Sequence, residues 1–265
     1  MEAGFLEGAQ GQLFYVLHSP RSSSMRGCVL YVHPFAEELN KSRRMAALQA
    51  RRLAAADHVV MMPDLHGCGD SAGDFGDARW ELWLSDLDLC LEWLRQRYSA
   101  PTVFWGLRVG CLLIADWLAA RDIHPAAVIF WQPVTDGELF LNQFLRLRMA
   151  AGMIGGHKES TAQLRARLEA GETLEVAGYA LPPQMAASLA SARLMSSSIA
   201  PVIWLEVNQL AELPPVSRQV VGSWRDRGIA VDAAVLDGEP FWTTQEIGEV
   251  PALLDLTLER LLALR

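Results

Sequence analysis

At 265 residues, 51% of them hydrophobic and 20% charged, the chain can bury a large core, and its composition excludes extended disorder. The length fits one α/β domain with an insertion better than two equal domains. A formal charge of -8 argues against a nucleic-acid partner, because neutralising phosphates requires a basic face.

The first twelve residues, MEAGFLEGAQGQ, lack the basic start and apolar core of a secretory signal, and no apolar run approaches the length of a membrane span. Cys28, Cys68, Cys90 and Cys111 are scattered with no Cys-x-x-Cys spacing, as expected of reduced thiols in a cytoplasm.

Leu13 to Leu17 and Cys28 to Val32 are β-rich runs separated by the turn-forming stretch Ser19 to Gly27, and they read as an early strand pair. His33 to Asn40 reads as a loop and Lys41 to Ala56 as a helix. Val59 to Met62 is the next strand, followed by a glycine-rich loop from Pro63 to Gly73. Arg79 to Tyr98 places Trp80, Trp83, Leu84, Leu87, Leu91 and Leu94 on one face, which makes it a helix covering a sheet. Ala126 to Trp131 is a continuous apolar run of the kind found in strands buried on both faces.

Beyond Thr135 the rhythm changes. Phe140 to Met153 and Thr161 to Ala170 look helical, Gly155-Gly156 breaks them, and Pro182 to Ser198 is rich in small residues. The alternation resumes with a strand at Val202 to Val207, a helix near Val216 to Arg227, a strand at Ile229 to Leu236 and a closing helix from Glu246 to Arg265. The expected division is a core of residues 1–136 and 200–265, interrupted by a helical cap over 137–199 that covers the carboxyl ends of the strands.

The informative stretch is Pro101 to Trp117, which reads as buried strand, tight turn and helix. Serine hydrolases of the α/β type write such an elbow as G-x-S-x-G, with glycines where strand and helix cross too closely for a Cβ. Here the five residues are Gly106-Leu107-Arg108-Val109-Gly110. The frame is intact and arginine occupies the nucleophile position. A guanidinium stays protonated and only donates, so Arg108 is neither nucleophile nor general base.

The elbow, the His33 loop and the D-L-x-G-x-G-x-S loop at Asp64 together resemble the α/β-hydrolase superfamily. More narrowly, HPFAEELNKSRRMAALQARRLA (33–54), DLHGCGDSAGDFGDARW (64–80), WGLRVG, FLNQFLRLRMA (140–150) and GEPFWTTQEI (238–247) are similar to the hydrolase-like proteins of the exosortase A system. The resemblance implies an α/β-hydrolase fold, mostly parallel, in bacteria that make exopolysaccharide and sort PEP-CTERM proteins. It also puts the superfamily's nucleophile on Arg108, its acid near Asn208 with Glu206 the nearest carboxylate, and its histidine on Glu239 or Pro240. A triad needs a hydroxyl, an imidazole and a carboxylate, so three departures remove that mechanism. The oxyanion donors would survive as backbone N–H groups of Val109 and of the His33 to Ala36 loop, Phe35 included.

An arginine at a helix N-terminus is disfavoured by the macrodipole and calls for an anion. Glu239, Glu37, Glu38 or an exogenous carboxylate or phosphate could supply it; pairing with Glu239 or Glu37 is expected. Two functions follow. One is a protein without serine catalysis that binds a small anionic or acyl molecule, or a partner, with self-association left open. The other is an ester or thioester hydrolase using Glu239 or Glu37 as base, an activated water and Arg108 as oxyanion stabiliser. His33 is expected to orient the oxyanion loop and Trp242 to touch the ligand. Cys68, in an exposed loop, is a weaker substitute nucleophile. No His, Cys or Asp cluster has metal-ligand spacing and no cofactor is implied; Gly67, Gly69 and Gly73 imitate a dinucleotide fingerprint with the wrong spacing.

Overall fold

The computed structural model describes residues 1–22, 24–154, 159–194, 200–210, 212–244 and 246–264. Strands β1 (Glu2–Gly8), β2 (Gly11–His18), β3 (Gly27–Val32), β4 (His58–Pro63), β5 (Thr102–Leu107), β6 (Ala127–Trp131), β9 (Val202–Val207) and β10 (Val231–Leu236) form one eight-stranded sheet in the order β1-β2-β4-β3-β5-β6-β9-β10. β1 with β2 and β2 with β4 are antiparallel, and every later pairing is parallel. Helices α1 (Glu37–Ala55), α2 (Trp80–Arg97), α3 (Val109–Ala120), α7 (Pro215–Asp226) and α8 (Pro251–Ala263) are the crossovers and closing element. The parallel sheet is covered on both faces, so β3, β5, β6 and β9 are apolar nearly throughout. One core cluster gathers Trp83, Phe104, Trp117 and Phe130, and a second gathers Tyr31, Met45, Trp105 and Trp131.

Several expectations need correction. β2 and β3 are not paired, because β4 lies between them and β5 occupies the other edge of β3. The N-terminal residues form β1, in register with β2 from Glu2 against Leu17 to Gly8 against Gly11. Helix α1 starts at Glu37, four residues earlier than its composition suggests, with Glu37 and Glu38 in its first turn, where carboxylates suit the helix dipole. Helix α8 starts at Pro251 rather than Glu246, because proline fits the first helical position, where no N–H is needed.

Between β6 and β9 the chain forms α4 (Gly137–Ile154), α5 (Thr161–Glu169), a hairpin of β7 (Leu174–Val176) and β8 (Tyr179–Leu181), and α6 (Pro183–Ser191). The hairpin turns on Ala177 and Gly178, both at positive φ. The break expected at Gly155-Gly156 lies outside the described residues. This segment packs over the loops at the carboxyl ends of the strands: Phe140 and Phe144 of α4 set their rings 5.9 and 5.3 Å from Phe35, and Tyr179 lies 5.1 Å from Phe75.

Candidate functional site

The elbow is built by backbone crowding. A Cβ on Gly106 would lie 2.9 Å from the Cys111 nitrogen, and one on Gly110 would lie 2.3 Å from the Val32 carbonyl oxygen. Real Cβ atoms do not approach so closely, so both positions must be glycine for α3 to lie across β3 and β5. Between them Arg108 has φ 55° and ψ -118°, a conformation that L-residues hold only when their surroundings enforce it. Those surroundings are hydrogen bonds: the Arg108 N–H donates to the Trp131 carbonyl at 3.0 Å, and its carbonyl accepts from Cys111 at 3.0 Å and Val134 at 3.3 Å.

The side chain of Arg108 is 16% exposed and donates from Nε to Glu38 Oε1 at 3.1 Å. Its guanidinium carbon lies 5.7 Å from the Phe140 ring and 5.4 Å from the Trp242 ring. Neither terminal nitrogen has a hydrogen-bond partner among the described residues, and the side chain lines a cavity of about 200 Å³ with Val134, Thr135, Leu139, Phe140 and Gln143. Asp136, also on that lining, is paired with Arg193 at 3.3 Å.

Glu38 is buried, and burial pushes its carboxyl up to about 7 even though Arg108 opposes the shift. Its Oε2 is buried without a partner among the described residues, as is Oε2 of Glu37. Burial also raises the Glu37 carboxyl, with Lys41 and Arg108 pulling it down. Arg108 is thus partnered by Glu38. Glu37 and Glu239 do not pair with it: Glu37, half-buried on the same first turn, makes no bond to Arg108, and Glu239 is exposed beyond β10.

Other residues named from the sequence fall as follows. His33 is 3% exposed. Its Nδ1 lies 2.7 Å from the Pro34 carbonyl, and its Nε2 accepts the Leu65 N–H at 3.2 Å. That pattern requires the Nδ1–H tautomer and ties the β3 loop to the β4 loop, and burial keeps the ring neutral. The Phe35 ring packs within 6 Å of Phe75, Trp83, Phe140 and Phe144, so only its backbone is available to a ligand. Val109 is 1% exposed and opens α3, so its N–H has no intrahelical acceptor. Trp242, expected to touch the ligand at the mouth of the pocket, has its ring buried beside Arg108. Cys68 is also buried, because its loop folds under α1 and α2; burial drives its thiol upward, which removes it as a substitute nucleophile.

Glu206, the carboxylate nearest the expected acid position, is joined by Gln132, a partner that the sequence did not point to. Glu206 is 2% exposed, accepts from Trp204 Nε1 at 2.7 Å and from Gln132 Nε2 at 3.4 Å, and is raised by burial against Ser217, Trp204 and Arg108. Gln132 Oε1 in turn accepts the Val207 N–H at 2.7 Å. The signal was present: a carboxylate inside the apolar run Val202 to Val207 has no reason to be there unless it is bonded. Among the described residues no group of three or more His, Cys, Asp or Glu is arranged to hold a metal ion, and no helix is long and apolar enough to cross a membrane.

A twisted, mostly parallel sheet with an elbow at the end of β5 defines an α/β-hydrolase fold. Solved structures agree. Est1E from Butyrivibrio proteoclasticus, with ferulic acid bound, matches with a TM-score of 0.68 at 14% identity over 98% of both chains. A thermostable carboxyl esterase from Bacillus coagulans in complex with glycerol matches at 0.68 and 14%, over 99% of this chain and 98% of that one. Mouse alpha/beta hydrolase domain-containing protein 10 matches at 0.61 and 18%, over 99% and 98%. No curated protein sequence matches significantly. Residues 23–211 match the family described as serine aminopeptidase, S33, and the chain belongs to that family.

Proposed function

We propose that this protein keeps the hydrolase scaffold but has replaced serine catalysis with ligand binding, and that Arg108 holds the carboxylate, phosphate or acyl carbonyl of a small molecule. The observation that carries this reading is the half-satisfied guanidinium: Nε is taken by Glu38, while the terminal nitrogens have no partner among the described residues and the side chain borders a cavity. Two parallel N–H donors are the geometry that grips a carboxylate or phosphate. Phe140 and Trp242 flank the cation and hold it in place. The elbow carries no hydroxyl, and positions 239 and 240, where the superfamily's histidine is expected, hold Glu239 and Pro240. The resemblance of residues 33–54, 64–80, 140–150 and 238–247 to the hydrolase-like proteins of the exosortase A system supports an exopolysaccharide setting, in the cytoplasm of a bacterium.

A second reading is favoured by Glu38. A carboxyl near 7 with a free oxygen suits a general base, which would activate water while Arg108 stabilises the oxyanion. One experiment separates the two. The protein is incubated with short and long p-nitrophenyl esters and a fluorophosphonate probe, and its melting is followed with butyrate and phosphate. Binding predicts no turnover, no labelling and stabilisation that Arg108→Ala removes. Turnover that Glu38→Gln abolishes and fluorophosphonate leaves intact supports the second reading; labelling of a serine refutes both.

A further inference from the structure

A second cavity, of about 220 Å³, shares no lining residue with the one above the elbow. Its floor is the antiparallel side of the sheet: Phe14, Val16 and His18, alternate residues of β2 and so on one face, with Met62 of β4 and Tyr31 of β3. Its roof is α1, which presents Leu39, Arg43, Ala46, Ala47 and Arg51. Space remains because α1 offers two alanines where larger side chains would meet β2.

Two side chains on this lining are buried and lack polar partners. Tyr31 is 3% exposed and His18 is 4% exposed, and neither the phenol oxygen nor either ring nitrogen makes a hydrogen bond to a described residue. Their polar atoms are not among the fully enclosed unpaired ones, so water or a ligand can reach them. The charge around them is one-sided. Of the four arginines of α1, Arg43 is bonded to Asp64, Arg44 to Glu249 and Arg52 to Asp255. Arg51 alone has no carboxylate among the described residues. Asp64, the one acid on the lining, is occupied: Arg43 donates to both of its oxygens at 3.1 Å and the Asp70 N–H to Oδ2 at 3.0 Å. Burial, and then positive neighbours that include Arg51, keep His18 uncharged.

We propose that this cavity binds a small amphiphilic anion, with a short alkyl chain between β2 and α1, the anionic head on Arg51, and Tyr31 and His18 as further polar contacts. The size suits it. An apolar cavity of roughly 150 Å³ accepts a benzene ring, so this one admits a chain of about eight carbons. Arg51 grips a carboxylate or a phosphate equally well, and the comparison of octanoate with octyl phosphate distinguishes them.

The test is isothermal titration calorimetry of the full chain with octanoate, octyl phosphate and octylamine. Expected is saturable one-to-one binding of at least one anion and none of octylamine. Arg51→Glu should weaken it at least tenfold and Ala47→Phe, which fills the space, should abolish it, both with an unchanged melting temperature. Arg108→Ala should leave this affinity unchanged, which separates the site from the elbow. The proposal is overturned if neither anion saturates, if octylamine binds equally well, or if affinity survives Arg51→Glu. Should Ala47→Phe fail to fold, Arg51→Glu at the exposed rim decides alone.

Discussion

Replacing Glu38 by glutamine probes the buried ion pair directly. The glutamine side chain keeps the shape of glutamate and an oxygen for Arg108 Nε, but has no proton to lose. In the native protein burial lifts the Glu38 carboxyl from an ordinary 4.5 to about 7. A group that holds its proton more tightly when folded stabilises the fold fully below its unfolded value, and loses that contribution as pH rises through the folded one. At ~1.4 kcal/mol per tenfold change in proton affinity the full effect is about 3 kcal/mol, most of it between pH 5 and 8. The raised Glu37 carboxyl is present in both proteins and cancels to first order in their difference. Urea unfolding at pH 5, 6, 7 and 8 should therefore show the stability of Glu38→Gln gaining on the native protein by about 2 to 3 kcal/mol across that window. A difference that stays constant to within about 0.5 kcal/mol would mean that Glu38 ionises as an exposed acid does, and that the enclosed pair with Arg108 does not exist.

Gly110→Ala places a methyl 2.3 Å from the Val32 carbonyl oxygen, so it should cost about 3 kcal/mol in urea unfolding, and an unchanged midpoint would contradict the close crossing of α3 over the sheet. Arg108→Ser restores the hydrolase motif without its partners. It should remain unlabelled by fluorophosphonate, and at pH 8 it should lose about 3 kcal/mol by leaving Glu38 unpaired, with a smaller loss at pH 5, where that carboxyl takes up a proton. The four cysteines are free and buried, so a disulfide exchange reagent should titrate none within minutes in the native protein and all four in guanidinium chloride.

The parallel part of the sheet was legible because strands buried on both faces leave continuous apolar runs, and α2 because Trp80, Trp83, Leu87, Leu91 and Leu94 share a face. The elbow was legible from its glycines. What escaped was set by tertiary context. β1 carries Gly4, Gly8 and two glutamates, a poor strand by propensity, and is held by its pairing to β2. The β7–β8 hairpin hides its turn in Ala177-Gly178, where alanine adopts φ 51° and asparagine or glycine would have announced it. The anion beside Arg108 was narrowed to a few glutamates but not to Glu38, because that choice depends on α1 beginning at Glu37. One turn of helix separates a solvated loop acid from an enclosed one.

Glycines 106 and 110 hold strand and helix so close that only hydrogen fits beneath the bend, while the bend at Arg108 is fixed by backbone hydrogen bonds. The backbone of the turn does not depend on which side chain it lifts; the neighbours of that side chain do. A single codon can exchange attacking oxygen for fixed positive charge there without rebuilding the sheet, which makes this corner of the fold a place where descent can change an occupation and keep the architecture.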